Sequence, residues 1–316
     1  MQIDCTRPNN ASVPTGGPSE AAIRKPDFFI LGAPKCATSS LAQWLSEHPS
    51  VYFSPRKEPH FFNRDGIPGT ATLADYESLF ADADERHRAV GEGSTHYLYS
   101  RVAVDNILDY QPDARFIVCL RNPMEMAPAL HDECLRQGWE TVRGFERAWR
   151  LQERRRAGRR VPFTARGDPE RLLYGPYCRL GEQLERLYGR VERERVLPIL
   201  VDDLREDPGR EYRRVLAFLG AGDDGRDAFP AVNTAPQTRS VALSLLIRGT
   251  SLLRDRLWLP KDWGLAAAMR RLNTRPARRA PLDTAMRDEL RDYFADDVER
   301  LGTLLDRDLS GWLARS

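Results

Sequence analysis

Short apolar runs that alternate with helical periods constrain the fold of this chain more than any other feature. Four runs have the composition of buried strands: DFFILG at 27–32, AVGEG at 89–93, RFIVCL at 115–120 and RVLPILV at 195–201. Between them, apolar residues recur at helix spacing, as in the sets Leu41, Trp44, Leu45 and Leu180, Leu184, Leu187. Apolar strands that alternate with helices are typical of a parallel sheet covered on both faces. The sequence therefore predicts an α/β fold of three layers, α/β/α, with a central parallel sheet.

Composition separates the beginning of the chain from the rest. Residues 1–24 are rich in Pro, Asn, Ser, Thr and Gly, which predicts a flexible N-terminal tail. No linker or internal repeat interrupts residues 25–316, and we expect them to form a single domain. Within that domain, residues 241–280 are apolar with interleaved arginines. This composition predicts a helical cap or lid over a ligand site, with contact to a membrane surface as the alternative.

Charge and cysteine content argue against several classes of protein. The chain has 48 Lys and Arg against 46 Asp and Glu, and so lacks the basic excess of a nucleic-acid-binding protein. Its five cysteines form no C-x-x-C pair, which is typical of a reducing compartment. No signal segment precedes the first strand, and no apolar stretch reaches the ~18 residues that span a bilayer. We expect a cytoplasmic protein without a metal site, a nucleic-acid partner or membrane contact.

The loop after the first predicted strand suits an anion. A strand that ends at Leu31 and a helix that begins near Thr38–Ser40 bring backbone N–H groups and the positive helix end together. The hydroxyl groups of Thr38, Ser39 and Ser40 add donors, and Lys35 adds a positive charge. The plain alternative is an ordinary helix N-cap beside a solvated lysine. The nucleotide-hydrolase loop, G-x-x-x-x-G-K-[ST], would need glycine at position 37 and lysine at position 38.

Two motifs at matched spacing resemble those of the sulfotransferases that use 3′-phosphoadenosine 5′-phosphosulfate (PAPS), particularly the bacterial and heparan-sulfate-type branch. The first motif comprises Gly32, Lys35, Cys36, Ala37, Thr38, Ser39, Ser40 and Leu41, and the second comprises Lys57, Glu58, Phe61 and Phe62. Weaker likenesses lie in GEGSTHYLYS at 91–100, CLRNPMEMA at 119–127, residues 188–220, NTAPQTRS at 233–240 and LLDRDLSGW at 304–312. The resemblance covers nearly all of residues 26–316 and implies a P-loop-containing nucleotide-binding fold of the sulfotransferase type.

The resemblance implies a binding role for each matched position. Lys35 and the loop residues Cys36, Ala37, Thr38, Ser39 and Ser40 would hold the 5′-phosphosulfate, and Lys35 would offset charge on the leaving phosphate without a metal ion. Arg121 would bind the 3′-phosphate, although a simple ion pair with Glu125 is the alternative. Arg239, in the segment similar to one of the family's closing segments, completes the expected cofactor-binding set.

The same resemblance places the general base at Glu58. A carboxylate can take the proton of an acceptor hydroxyl if burial or a neighbour raises its pKa. The alternative is an ion pair with Arg56 or Lys57. His60 is a rival base, because imidazole titrates near neutral pH without tuning, and His96 is a third candidate.

One position departs from the family pattern. The serine expected eight residues after the strand-end arginine is Ala129 here, and Pro128 precedes it. Because proline interrupts helical hydrogen bonding, we expect the helix after Pro123 to begin later or to kink. The 3′-phosphate pocket would then be weakened, rebuilt with a donor such as His131, or unused.

Three functions remain open from the sequence. The first is transfer of a sulfuryl group from PAPS to a hydroxyl of a small-molecule or carrier-bound acceptor. The second is a sulfotransferase-fold protein that only binds a ligand or uses a different donor. The third is a P-loop phosphotransferase, in which Asp202 and Asp203, after an apolar strand, would hold magnesium.

Overall fold

The computed structural model describes residues 23–65, 69–70, 72–230, 236–256, 265–276 and 281–314. The strands of its central sheet are β1 (Phe28–Gly32), β2 (Val51–Phe53), β3 (Ala89–Gly93), β4 (Arg115–Leu120) and β5 (Val196–Leu200). They lie in the order β2–β3–β1–β4–β5, and every pairing is parallel. Two further strands, β6 (Pro236–Thr238) and β7 (Thr274–Pro276), form a separate antiparallel pair.

Helices connect the strands and cover the sheet. The α-helices of the described residues are α1 (Thr38–Ser46), α2 (Leu73–Glu77), α3 (Ala103–Tyr110), α4 (Pro123–Gln137), α5 (Phe145–Trp149), α6 (Gln152–Arg156), α7 (Tyr174–Tyr177), α8 (Leu180–Tyr188), α9 (Val201–Glu206), α10 (Pro208–Leu219), α11 (Val241–Arg256), α12 (Leu265–Leu272) and α13 (Thr284–Leu305). Short 3-10 helices lie at Ser78–Phe80, Phe163–Ala165, Pro169–Leu172, Arg193–Arg195 and Ser310–Leu313. None of the described helices combines the length and the apolar character of a membrane span.

The predicted three-layer α/β/α fold is confirmed. The four predicted strands agree with β1, β3, β4 and β5 to within one residue at each end. The sequence analysis missed β2, β6 and β7, each of which has only three residues. A run of that length cannot show a period, so the pattern that reveals the longer strands is absent there.

The central position of β1 explains why its sequence is apolar throughout. Its five residues are all buried, with β3 on one side and β4 on the other. The strand order changes direction around β1, because the chain runs outward to β2 and β3 before it returns to β4. In open α/β sheets, ligands bind at the carboxyl ends of strands beside such a switch point. The loops that follow β1, β3 and β4 therefore form the expected binding edge.

The expected late start of the helix around Pro128 is wrong. Helix α4 begins at Pro123, and the side chain of Asn122 caps it by accepting a hydrogen bond of 2.9 Å from the Met124 backbone N–H. Proline is favourable at this first position, where its missing N–H has no helical partner in any case. Pro128 lies inside the helix, which continues to Gln137. Pro128 has no N–H to donate within the helix, and the burial of neighbouring side chains such as Leu130 offsets the free energy of that missing hydrogen bond.

The two segments that the sequence set apart are only partly described. The predicted tail, residues 1–24, lies outside the described residues except for Ile23 and Arg24, and Arg24 donates a hydrogen bond of 2.7 Å to the Asp84 carbonyl. In the predicted cap, residues 241–280, the described parts are α11, α12 and β7. Helix α11 packs against α4.

Gly138 ends α4 where only glycine fits. It adopts a left-handed conformation with φ of 74°, and a Cβ built there would lie 2.4 Å from the Ser244 carbonyl oxygen. Gly220 ends α10 in the same conformation, with φ of 70°, but no described atom lies within 4 Å of its added Cβ. The two positions therefore differ in packing while they share backbone geometry.

We expect Gly138→Ala to lower the free energy of unfolding by about 3 kcal/mol or more, and Gly220→Ala by only about 1 kcal/mol. The left-handed backbone disfavours alanine at both positions, but only at position 138 does the methyl group collide with a neighbouring helix. Urea unfolding of the two variants and the wild type measures the difference. Equal losses would show that α11 does not pack on α4 as described.

Glu92 is a buried carboxyl group within β3. It is 0% exposed and accepts hydrogen bonds from the Ser94 hydroxyl at 2.8 Å and the Tyr76 hydroxyl at 3.5 Å. Burial raises the pKa of Glu92 from its ordinary value of 4.5 to about 7, although hydrogen bonds from Tyr97, Ser94 and Tyr76 oppose the shift. The native state therefore holds this proton more tightly than the unfolded state does.

The free energy of unfolding should consequently fall as the pH rises from about 4.5 to about 7. The contribution of Glu92 is fully present below its unfolded pKa of about 4.5 and is lost above its native pKa, a change of about 3 kcal/mol. We expect the wild type to lose about 2–3 kcal/mol more than Glu92→Gln between pH 5 and pH 8, because glutamine does not titrate. Urea unfolding at both pH values tests this, and equal losses in the two proteins would contradict it.

Candidate active site

A deep cleft opens at the carboxyl ends of β1, β3 and β4. Its volume is about 920 Å³, at the upper end of the range for small-molecule sites. Its wall carries eight basic side chains against two acidic ones, Glu58 and Glu133. The basic residues are Lys35, Lys57, Arg121, Arg136, Arg171, Arg205, Arg270 and Arg271. Such a cleft favours a ligand with several negative charges.

The loop after β1 presents a helix N-terminus to this cleft. Ala37 precedes α1 in the left-handed conformation, with φ of 61°, and among the described residues no side chain caps the helix. Thr38, Ser39 and Ser40 form the first turn and line the cleft. Uncapped N–H groups, hydroxyls and the helix dipole together make an anion site.

Lys35 and Cys36 face different ways from this loop. Lys35 lines the cleft, and its Nζ lies 3.4 Å from Oε2 of Glu133. Cys36 is fully buried, with its Sγ 3.9 Å from the sulfur of Met126, and burial raises the pKa of its thiol. The Cys36 backbone N–H donates to the Ala33 carbonyl at 3.3 Å. Lys35 therefore supplies charge to the cleft, whereas Cys36 fills the core beneath it.

The segment that carries Glu58 and His60 is hydrogen-bonded to the end of β3 and to the residue after it. The Glu58 N–H donates to the Gly93 carbonyl at 3.0 Å, and the His60 N–H donates to the Ser94 hydroxyl at 3.1 Å. Phe61 then enters the core, where its ring stacks on Tyr76 with centroids 4.7 Å apart. These contacts explain the motif locally, because the aromatic anchor and two hydrogen bonds hold Glu58 at the cleft and His60 beside Glu58.

Glu58 is held by three neighbours. Its carboxylate lies 2.8 Å from Lys57 Nζ, accepts a hydrogen bond of 3.1 Å from the Thr95 hydroxyl, and lies 3.4 Å from His60 Nε2. Burial alone would raise the pKa of Glu58, but the hydrogen bond with His60 and the charge of Lys57 bring the pKa well below its ordinary value. The condition of a raised pKa is therefore not met at Glu58, because the hydrogen bond and the opposite charges outweigh desolvation. Glu58 is ionised at neutral pH and also forms the ion pair with Lys57 that was the alternative.

The two histidines that rival Glu58 lie beside it. The ring centroids of His60 and His96 are 5.3 Å apart. His60 Nδ1 is buried and has no hydrogen-bond partner among the described residues. Burial, followed by the charges of Arg171 and His60, holds the pKa of His96 well below its usual range. His96 lines the cleft and is neutral at pH 7, so it too is able to accept a proton.

Arg121 lies in the cleft with most of its hydrogen bonds already made. Its Nη2 and Nε contact Oε2 of Glu125 at 2.7 and 3.1 Å, and its Nη1 donates to the Lys35 carbonyl at 3.0 Å. The alternative pairing with Glu125 is therefore present. Arg205 also contacts Oε2 of Glu125, at 3.4 Å, and Ala129 contributes only a methyl group to the wall.

Other predicted donors do not line the cleft. His131 is 1% exposed, and its Nε2 lies 2.8 Å from the Val142 carbonyl, so the expectation that it replaces the missing serine is wrong. Arg239 is exposed, and its Nε donates to the Thr274 carbonyl at 2.9 Å. Arg239 therefore lies at the cleft margin through Thr274, which does line it.

The two carboxylates proposed for magnesium have other partners. Asp203 forms a two-pronged ion pair with Arg307, at 3.0 and 3.1 Å. Asp202 accepts a hydrogen bond of 2.7 Å from the Trp312 indole. Within the described ranges, no group of three His, Cys, Asp or Glu side chains is arranged to hold a metal ion.

Sequence reasoning missed several residues of the cleft wall. Arg136, Trp139, Arg171, Arg270 and Arg271 line it, yet they lie outside the matched motifs. No periodic signal marks them, because they come from α4 and the loop after it, a 3-10 helix and α12, and meet only in three dimensions. The many arginines elsewhere in the chain hide these few in the composition.

The geometry combines two capacities in one cleft. An anion site at the start of α1 has Lys35 beside it, and the same cleft contains the ionised Glu58 carboxylate, after β2, and the neutral His96, after β3. Such a site can hold a charged leaving group at one end and accept a proton at the other.

Comparison with known proteins points to one enzyme family. Carbohydrate sulfotransferase 15 of Homo sapiens is 32% identical over an alignment that covers 32% of this chain and 26% of that protein. Heparan sulfate glucosamine 3-O-sulfotransferase 6 of Homo sapiens is 34% identical over 38% of this chain and 34% of that protein. The alignments therefore span about a third or less of the length of these relatives. No family model matches the chain.

A solved structure extends the likeness to the whole fold. The sulfotransferase from Alicyclobacillus acidocaldarius superimposes with a TM-score of 0.68 at 27% identity, and the match covers 92% of this chain and 100% of that one. The shared sequence lies in part of the chain, while the shared fold covers most of it. Together with the anion loop at the switch point, these likenesses in sequence and in fold support the assignment of the chain to a sulfotransferase family.

Proposed function

We propose that this chain transfers a sulfuryl group from PAPS to a hydroxyl group of an acceptor. The observation that carries the proposal is that Lys35, the start of α1 and Glu58 all line one cleft. The likeness to sulfotransferases supports the reaction class, and the strongly basic wall supports a donor with several negative charges. The proposal includes PAPS as the donor, Glu58 as the general base and a hydroxyl compound as the acceptor.

The donor fits the loop end of the cleft. Backbone N–H groups at the start of α1 and the hydroxyls of Thr38, Ser39 and Ser40 would hold the 5′-phosphate. When bound, PAPS supplies a sulfuryl group and a phosphate as leaving group. Lys35 would stabilise the charge that remains on this phosphate, and for that it must exchange its contact with Glu133.

The proton of the acceptor hydroxyl would go to Glu58. As the new S–O bond forms and the S–O bond to phosphate breaks, this proton must leave the acceptor oxygen. Glu58 is ionised and therefore ready to accept, with Thr95 and Lys57 holding its carboxylate in place. Its low pKa makes it a weak base, so proton transfer would occur late, when the acceptor oxygen has lost electron density. The alternative bases are His60, whose Nε2 lies 3.4 Å from Glu58, and His96, which is neutral and lines the cleft.

The acceptor and the location are further proposals. The names of the two human relatives specify carbohydrate and heparan sulfate glucosamine, which supports a carbohydrate hydroxyl as the first acceptor to test. A small-molecule or carrier-bound acceptor fits the same cleft. We also propose a cytoplasmic location, which the four described cysteines, all free thiols, support.

The donor is tested by nucleotide binding. We expect 3′-phosphoadenosine 5′-phosphate to stabilise the protein by about 2.7 kcal/mol at a hundredfold excess over Kd, and 5′-AMP and Mg-ATP to stabilise it less. Arg121→Gln should remove the preference over 5′-AMP while it retains the wild-type fold by circular dichroism. Thermal unfolding with each nucleotide measures both effects.

Other outcomes of this titration identify the rival functions. Equal shifts with the 3′-phosphorylated nucleotide and 5′-AMP would mean that Arg121, paired with Glu125, contributes no 3′-phosphate site, and a different donor would follow. A preference for Mg-ATP would favour a phosphotransferase.

The base is tested by substitution. We expect Glu58→Gln to lower kcat by about 10²–10⁴-fold while KM for PAPS changes little, because the carboxylate acts on the acceptor proton. His60→Gln and His96→Gln, assayed beside it, are the matched variants. Wild-type turnover in Glu58→Gln, with a large loss in one histidine variant, would transfer the role to that histidine.

A further inference from the structure

One arginine of the cleft wall has no role in the donor site. Arg171 lies in the 3-10 helix Pro169–Leu172, outside both sulfotransferase motifs, and lines the cleft. It is only 4% exposed, so its charge has lost most of its hydration. A buried charge of this kind needs partners, because an unsatisfied donor in the interior costs free energy.

The partners of Arg171 leave part of its guanidinium unused. Its Nε donates to Oδ2 of Asp168 at 2.9 Å, and its guanidinium carbon lies 3.6 Å from the centroid of the Trp139 ring. Its Nη2 is buried and has no hydrogen-bond partner among the described residues. Asp168 and Trp139 therefore fix the orientation of the group, while one of its nitrogen atoms still lacks an acceptor.

Arg171 lies in the same cleft as the proposed base. Arg171, His96 and Glu58 all line the cleft, and the charge of Arg171 contributes to the low pKa of His96. The ring centroid of His96 lies 5.3 Å from that of His60, whose Nε2 lies 3.4 Å from Glu58. An acceptor whose hydroxyl group approaches Glu58 is therefore in the same cleft as the Arg171 guanidinium.

We propose that Arg171, stacked on Trp139, binds a carboxylate or sulfate group of the acceptor, and that the acceptor is therefore an anionic alcohol. This inference rests on the proposed function, since it describes the second substrate of the same cleft. A planar guanidinium is suited to these groups, because its N–H donors match two oxygen atoms. Arg270 and Arg271 line the same cleft and add positive charge to its wall.

The test compares two acceptor analogues that differ by one carboxylate. Full-length protein saturated with 3′-phosphoadenosine 5′-phosphate is titrated calorimetrically with 4-nitrophenyl β-D-glucuronide and with 4-nitrophenyl β-D-glucoside. We expect the wild type to bind the glucuronide at least about tenfold more tightly, and Arg171→Met to lose that preference while its affinity for the glucoside stays within about twofold. Arg166→Met is the control, because Arg166 is exposed and does not line the cleft.

A second variant covers the case in which Arg171→Met does not fold. Arg171→Lys keeps the charge but not the planar donor pair, and we expect it to retain about a third of the preference. Equal affinity of the wild type for both analogues, failure to bind either, or an unchanged preference in the Arg171 variants would overturn the proposal. The same titrations without nucleotide separate the two proposals: a glucuronide preference in a protein that ignores the nucleotide would retain the Arg171 site and reject the donor.

Discussion

The parallel pairing of β1 with β3 on one side and β4 on the other positions everything in the cleft. It brings the carboxyl ends of three strands together, although they are far apart in the chain. Lys35 follows β1, Arg121 follows β4, and the segment with Glu58 is hydrogen-bonded to the end of β3 through Gly93. The chemistry proposed for this chain depends on that arrangement, since no single segment contains both the anion site and the base.

Ion pairs determine which side chains of the cleft are available to a ligand. The excess of basic side chains attracts an anionic donor, yet six of the eight have a described ion pair with a carboxylate. These pairs join Lys35 and Arg136 to Glu133, Lys57 to Glu58, Arg121 and Arg205 to Glu125, and Arg171 to Asp168. These pairs keep the cations ordered, and a phosphate or sulfate must compete with each carboxylate for its partner. Glu58 differs from the others, because its pairing keeps it ionised beside the neutral His96.

Much of this site could be predicted from sequence, and the reasons for the rest are physical. Lys35 and Thr38 lie between a predicted strand and a predicted helix, so the local pattern indicates them, whereas Glu58 was identified by the resemblance of its segment to a family motif. The environment of Glu58 could not be predicted, because the balance between desolvation and the charge of Lys57 depends on distances of a few ångströms. The contact between Arg171 and Trp139 was not predicted, because it joins segments without a period. The burial of the Cys36 side chain was not predicted either, because a motif does not specify the direction of a loop side chain.

Of the six non-glycine residues with left-handed backbone in the described ranges, three line the cleft, Lys35, Ala37 and Glu58, and a fourth, His60, contacts Glu58. Each such conformation costs about 1–2 kcal/mol, which the surrounding packing must supply. The outline of the site is thus a property of the main chain, largely independent of which side chains decorate it. A protein engineer could therefore exchange wall residues to accommodate new acceptors without changing the backbone conformation of the loops. Substitutions in the aromatic core would alter that backbone conformation before they unfolded the sheet.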